Sequence, residues 1–246
     1  MLTYINASFE NNPKTGTIKI NIEPAVEIIE NTFSIVISKK NMSRSGEQWK
    51  EIYRKEVVSI EDINISAADI SVLAGSVYDY NIDIYSGNNL VESQLYSGIR
   101  CWFEGLFVGN FNKYYVAGSN FKTDYKKNRS VESVTTLASK YPYIVSNAAL
   151  NYYTGTSTGM FLQLSEDGKK FMPDTYNAYT NEILEFLCDG TEKIIKTHDG
   201  NMWYVSIDAN PQIVNTGFWG ANEIQFSWTE IGEVPIENIV IFKAGE

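Results

Sequence analysis

The chain has 246 residues, of which 43% are hydrophobic and 13% aromatic, and its formal net charge is -10. This apolar content is enough for real cores, and it argues against a disordered chain. The acidic balance disfavours a nucleic-acid partner, because phosphates would be repelled rather than neutralised. No stretch approaches the ~20 uncharged apolar residues that span a bilayer, and the first residues do not resemble a secretory signal. We therefore expect no membrane partner and synthesis in the cytoplasm.

Alternation of apolar and polar residues with a period of two dominates residues 1–98, and it is the pattern of β-strands. It is clearest over Thr17–Ile22, Phe33–Ser38 and Tyr78–Tyr85, each bounded by residues that favour turns, and Trp49–Lys55 adds another candidate strand. Short strands at roughly regular spacing predict a small β-sandwich over residues 1–98.

The segment Leu73–Tyr80 gives a more local indication of the same fold. It is similar to the entry to the sixth strand of fibronectin type III domains. There a leucine precedes a turn of small residues, and the hydroxyl of a following tyrosine bonds back to the corner. Tyr78 is the candidate corner residue, and an ordinary core tyrosine is the alternative interpretation.

Residues 99–246 predict a second, β-rich domain. Strand candidates lie at Gly105–Val108 and Lys113–Val116, and a further strand or pair of strands begins at Tyr152. Between them lies the basic run Lys122–Arg129, which we interpret as a solvated loop because its charges do not form a longer basic stripe.

A helix and a hairpin define the later part of this domain. The helix is expected near residues 176–188, because its apolar residues lie at helical spacing, Thr180 or Asn181 offers a cap, and Gly190 follows its end. The hairpin joins Lys193–Thr197 to Met202–Ile207 across Asp199-Gly200, a pair that suits a tight β-turn. Two closing strand candidates follow, Gln212–Val214 and Glu223–Glu230. The pattern is typical of a split-barrel-like domain with one inserted helix.

The segments that carry a resemblance to a known family lie within residues 76–232, namely Glu104–Phe107, Ser139–Asn147, Tyr152–Phe161, Phe186–Ile195, Asn201–Val205 and Phe226–Glu230. They resemble passages of tail and baseplate proteins of phages that infect low-GC Gram-positive bacteria. In that group an immunoglobulin- or fibronectin-like region precedes a longer β domain, and distal tail proteins carry a comparable split-barrel ring domain.

This resemblance implies a structural protein of a virion or of a related tail-like particle, such as a tail-like bacteriocin, placed near the distal end or baseplate. The implied partners are other tail proteins and further copies of the chain, in a ring or trimer. The family offers no catalytic residue to carry over. An adhesin that binds cell-wall carbohydrate at the tail tip is the alternative function.

The sequence also argues against an enzyme. His198 is the only histidine and lies in the predicted hairpin turn, and neither a nucleophile elbow nor a phosphate loop is present. Carboxylate pairs for glycan cleavage could be drawn by chance from 30 acidic residues. Cys101 and Cys188 lie in no metal-binding pattern and are expected to be buried free thiols. We therefore expect no catalytic residue, no cofactor and no metal.

Aromatic clusters are the candidate contact residues, since aromatic side chains suit both protein interfaces and carbohydrate platforms. Core packing is the alternative for each cluster. The phenylalanine–tryptophan pair is the preferred exposed candidate, because it follows Asn215-Thr216-Gly217 in an expected loop. The interface candidates are Phe218, Trp219, Tyr114, Tyr115, Tyr152 and Tyr153.

Overall fold

A computed structural model describes residues 4–25, 33–58, 60–135, 137, 140–163, 171–172, 176–218, 221–235 and 240–241. The fold of these residues is mainly β, with antiparallel sheets and a single α-helix among the described residues, as predicted.

By the proximity of its Cα atoms the chain divides into two compact units. The first comprises residues 1–116, 194–202 and 234–246, and the second comprises residues 117–193 and 203–233. The domain ranges 1–98 and 99–246 stay a prediction, because nearness in space does not test whether a segment folds independently.

The first unit contains the predicted β-sandwich. Its strands are β1 (Ile5–Asn12), β2 (Thr17–Pro24), β3 (Phe33–Asn41), β4 (Lys50–Val57), β5 (Ile65–Asp69), β6 (Val77–Ser86) and β7 (Asn89–Arg100). A short 3-10 helix, Ile60–Ile63, precedes β5. One sheet has the order β1-β2-β5, extended past β5 by a strand from near the chain end, and the other has the order β4-β3-β6-β7.

Alternation along the strands produces the sandwich core. In β6 every second side chain is buried from Tyr78 to Ile84, which is what a strand with one face on a core requires. Isoleucines of β2 and β3, among them Ile20 and Ile37, meet this face in one apolar cluster. The burial of these side chains is the main force that holds the two sheets together.

The predicted tyrosine corner is confirmed. The hydroxyl of Tyr78 accepts a hydrogen bond from the backbone N–H of Leu73 at 2.9 Å, and the side chain is buried. Gly75 lies between them at a φ of 76°, a conformation that glycine adopts without strain.

The first unit also contains β8 (Leu106–Gly109) and most of β9 (Tyr114–Ala117) and β12 (Lys193–Thr197). β8 pairs antiparallel with β12. The predicted turn after β12 is confirmed, since the N–H of Gly200 donates to the carbonyl of Thr197 at 3.2 Å and Gly200 has a φ of 83°. His198 lies in this turn, and β13 (Met202–Ile207) follows it.

The second unit contains a sheet with the order β10-β11-β15-β13, in which β14 also pairs with β15. Its remaining strands are β10 (Ser119–Val134), β11 (Tyr143–Met160), β14 (Gln212–Phe218) and β15 (Ala221–Gly232). The interpretation of Lys122–Arg129 as a loop is wrong, because this run pairs with β11 throughout. The split-barrel description stays a prediction. The last short strand, β16 (Val240–Ile241), belongs to the first unit and pairs with β5.

The helix α1 (Tyr176–Cys188) lies where the sequence predicts it. Its buried side includes Ile183, Phe186 and Leu187, and Gly190 follows its end at a φ of 75°. The suggested cap of an inner start at Thr180 or Asn181 is wrong, because both residues lie inside a continuous helix, where the hydroxyl of Thr180 donates to the carbonyl of Tyr176.

The two cysteines are free thiols in different surroundings. Cys101 is buried, and burial raises the pKa of its thiol to about 11. Cys188 is exposed, so the expectation of a buried thiol is wrong there. It lies at the last position of α1, where the helix reaches solvent.

Candidate assembly surface

A two-stranded extension of the second unit is the main surface feature. β10 and β11 pair from Ser119 to Val134, whereas the pairing of β11 with β15 among the described residues covers only Thr154–Gly159. Beyond that point the two strands continue as a ladder. We call the described residues among 126–153 the β-arm.

The outer part of the β-arm exposes apolar side chains. Tyr143 and Ile144 are 62% and 64% exposed, and they point to opposite faces because successive side chains of a strand alternate. Val134 lies opposite Tyr143 in the register and shares its face. The other exposed apolar residues of the β-arm are Val131, Leu137, Tyr141, Val145, Leu150 and Tyr152.

Exposed apolar residues on both faces leave the outer β-arm without a core of its own. A two-stranded ladder is at best marginally stable alone in water. Contiguous exposed apolar surface is typical of sites that bind other molecules. This surface is therefore suited to binding a partner molecule through burial of apolar side chains.

The β-arm also differs from the rest of the chain in charge. It contains four basic residues and one acidic residue, a net charge of +3, while the whole chain carries -10. Its basic side chains are exposed. The basic residues are Lys126, Lys127, Arg129 and Lys140.

An aromatic cluster anchors the base of the β-arm within the second unit. The ring centroid of Trp203 lies 4.8 Å from that of Tyr125 and 4.9 Å from that of Trp228. The ring of Tyr153 lies 5.9 Å from that of Tyr125. The backbone N–H of Tyr153 also donates to a carboxylate oxygen of Glu230 at 2.8 Å. The base is thus held firmly, in contrast to the tip.

The predicted interface residues fall in different places. Tyr152 is 37% exposed on the β-arm, whereas Tyr153 is part of the anchoring cluster. Tyr115 is 4% exposed, so its ring lies in the core of the first unit and is not a surface residue. Tyr114 is partly buried and stacks on the ring of Phe107 at 5.4 Å.

The preferred candidates, Phe218 and Trp219, cannot be placed in the same way. Phe218 ends β14, and its side chain lies outside the described residues, as does the whole of Trp219. Their role as interface residues stays a prediction. Apart from Tyr152, the exposed apolar residues of the β-arm are not among the predicted interface residues. Val131, Val134 and the apolar run Tyr143–Val145 after Pro142 are nevertheless visible in the sequence.

A buried ion pair connects the two sheets of the sandwich. The ammonium of Lys39 on β3 donates to Oδ2 of Asp69 on β5 at 2.7 Å and to the carbonyl of Ser71 at 2.8 Å. Both side chains are almost fully buried. The carboxylate also accepts from the hydroxyl of Tyr80 and from the N–H of Ser71, each at 2.9 Å. Such complete pairing is what allows two charges to remain in a core.

The pKa values in this cluster follow from burial and pairing. Burial lowers the pKa of Lys39, against the attraction of Asp69. Burial alone would raise the pKa of Asp69, but Lys39 and the hydroxyl donors hold it below its usual range. Burial also raises the pKa of Tyr78 and Tyr80, and both stay neutral. The cluster therefore acts as a structural tie between the sheets.

Lys196 is a second buried cation of the first unit. Its ammonium donates to the carbonyl of Gly16 at 2.6 Å and lies 4.3 Å from the ring centroid of Phe107. Burial lowers its pKa to about 8. The contact with an aromatic face partly replaces the lost hydration.

Within the described part of the chain, no group of three or more histidine, cysteine or acidic residues is placed to hold a metal ion. In the same residues no helix is both long and apolar enough to cross a membrane.

Comparisons with known proteins do not assign this chain to a family. No protein-family model matches the chain, and no curated protein matches it. Among solved structures, it is similar to a chain of a structure titled "Virion of native gene transfer agent (GTA) particle", with a TM-score of 0.31 and 11% identity. That similarity covers 56% of this chain and 96% of the other.

Proposed function

We propose that this chain is a structural component of a phage tail or tail-like particle, near its distal end or baseplate, and that it acts by binding other proteins rather than by catalysis. The β-arm is the observation that carries the proposal. It combines exposed apolar residues on both faces with a firmly anchored base. Such a surface is suited to burial in an assembly.

The sandwich of the first unit also supports a structural role. Its buried charges, Lys39 and Asp69, are paired with each other and surrounded by donors in the sandwich core. This arrangement stabilises a rigid sandwich and does not present a reactive group to a substrate. A rigid domain joined to a surface that needs a partner is what a particle subunit requires.

Immunogold electron microscopy tests the proposal. Particles purified from the producing cells are labelled with an antibody raised against this chain, with pre-immune serum as the control. We expect gold at one end of the tail and the chain among the particle proteins by mass spectrometry. A chain absent from purified particles, or gold over the head, would contradict the proposal.

The alternative is a tail-tip adhesin that binds cell-wall carbohydrate. It is tested by binding of the purified chain to wall polymer, with Trp219→Ala as the variant and Trp49→Ala as a control on an exposed ring of the sandwich. Saturable binding that only Trp219→Ala abolishes would favour this function. Absence of binding by the intact chain removes it.

A further inference from the structure

We propose that the β-arm of one copy of this chain binds the acidic surface of α1 and the turn after it on a second copy, which links copies head to tail. The inference rests on the proposed function in that the chain acts by assembly, and it names the partner and the two surfaces. We call residues 176–192 the acidic segment.

The β-arm has open strand edges as well as exposed apolar side chains, and a binding partner would have to contact both. Among the described residues, the outer edge of β10 has no strand beside it, and within the β-arm β11 pairs with β10 alone. Unpaired strand edges are ready templates for another chain. Tyr143 and Ile144 place apolar surface on both faces next to these edges. Binding to a partner would pair the strand edges and bury the apolar side chains in one contact.

The opposite charges of the β-arm and of the rest of the chain favour a second copy as the partner. With +3 on the β-arm, the remaining residues of the chain carry -13. On balance the rest of another copy therefore attracts the β-arm, whereas a second β-arm repels it. Complementary charge of this kind speeds encounter and fixes which surfaces meet.

The acidic segment is the best-defined acceptor. It contains four acidic residues and no lysine or arginine. Glu182, Glu185 and Glu192 are exposed, while the opposite side of α1 is buried through Ile183 and Leu187. Asp189 is partly neutralised, because the ammonium of the buried Lys193 donates to it at 2.5 Å. With Lys193 included, the formal charge of this segment is still -3.

The two surfaces are different, so the contact is head to tail rather than two-fold symmetric. Repetition of such a contact gives a ring if the rotation closes and a filament if it does not. Every copy then buries its own β-arm and also its own acidic segment, except at an open end.

Sedimentation velocity of the full-length chain over a range of concentrations and salt tests the inference. We expect self-association that weakens as salt rises, because exposed charges are screened. The β-arm variant is Lys126→Glu with Arg129→Glu, and the acceptor variant is Glu185→Lys with Glu192→Lys. Each alone is expected to raise the Kd for self-association by roughly tenfold or more, since the β-arm changes from +3 to -1 or the acidic segment from -4 to 0, and either change removes the attraction.

Mixing the two variants distinguishes a head-to-tail contact from other arrangements. The acceptor variant keeps a native β-arm, and the β-arm variant keeps a native acidic segment. The mixture is therefore expected to form dimers with one native junction and nothing larger. A single chain with all four substitutions is expected to stay monomeric, because its β-arm carries -1 and its acidic segment 0, so no attractive junction is left.

The control variant, Glu10→Lys with Glu56→Lys, makes the same charge change as the acceptor variant but at exposed positions of the first unit, and it is expected to self-associate like the native chain. A native chain that stays monomeric, or variants and control with equal effects, would overturn the inference. Particle labelling decides the proposed function separately. Labelled tails with a monomeric chain would mean that the β-arm binds a different tail protein.

Discussion

Lys39 and Asp69 share one set of buried hydrogen bonds, so the stability of each charge depends on the other. Neither residue is marked in the sequence as a core residue, because strand alternation predicts which positions face inward and not which inward charges will be paired. Tyr78 was predictable because the tyrosine corner has a local signature. The ion pair has none, since its partners are 30 residues apart.

Asp69→Asn is expected to lower the free energy of unfolding by about 3–5 kcal/mol, because it leaves the ammonium of Lys39 buried without a counter-charge. Urea denaturation followed by tryptophan fluorescence measures the change. Glu51→Gln is the control, since Glu51 pairs with Arg54 on the surface and such a pair contributes at most about 1 kcal/mol. Equal effects of the two substitutions would contradict a structural tie at Asp69.

The buried Lys196 predicts a pH dependence. Its pKa is about 8 in the folded chain against 10.5 for the free side chain, so between these values the unfolded chain binds more protons. Stability then rises with pH in this window. From pH 7 to pH 9 the native chain is expected to gain about 1 kcal/mol relative to Lys196→Met. Parallel curves for the two proteins in urea titrations would show that Lys196 does not titrate there.

At the scale of elements, the β-arm depends on a close contact at its base. A Cβ added to Gly155 on β11 would overlap the ring of Trp228 and would also lie 2.7 Å from the carbonyl oxygen of Asp124 on β10. Gly155 is therefore needed for packing, because both strands and the tryptophan meet there. The residue type at this one position therefore affects where the whole β-arm lies.

Gly155→Ala is expected to lower the free energy of unfolding by about 1–3 kcal/mol, as overpacking of a filled core does. Differential scanning calorimetry measures the change. Gly232→Ala on β15 is the matched control, because nothing lies within 4 Å of the added Cβ. A Gly155→Ala variant as stable as this control would argue that the tryptophan moves aside freely.

The strands that the sequence predicts best are those with one buried face, such as β6, where alternation is complete. β10 was missed over Lys122–Arg129 because both of its faces are largely solvated, so no alternation marks it. α1 was placed to within one residue by its apolar spacing and by Gly190. Local patterns thus specify elements that face a core, and not an extension that has none.

At the scale of the whole molecule, the order of residues does not follow the compact units. Residues 194–202 belong to the first unit although the residues on both sides belong to the second. This division depends on long-range strand pairing, such as that of β12 with β8, which no composition change along the chain indicates. The contrast between an acidic chain and a basic β-arm was likewise visible in the sequence only as a short run of lysines.

Hydrogen exchange measured by mass spectrometry is expected to separate the β-arm from the sandwich. In the dilute chain, amides of Lys126–Val134 should exchange faster than those of β3, because a ladder without a core opens easily. At concentrations at which the chain self-associates, exchange in the β-arm should slow while β3 is unchanged. Protection of the β-arm that does not depend on concentration would argue against its burial between copies.

The two cysteines give this chain a built-in site for labelling. The Cys101 thiol is buried, and its raised pKa keeps it protonated at neutral pH, so a maleimide reagent should spare it in the folded protein. Cys188 is exposed at the end of α1, within the acidic segment. The unaltered protein could therefore carry a single fluorophore at the surface where a neighbouring copy is proposed to bind, and assembly could be followed by energy transfer without any engineered residue.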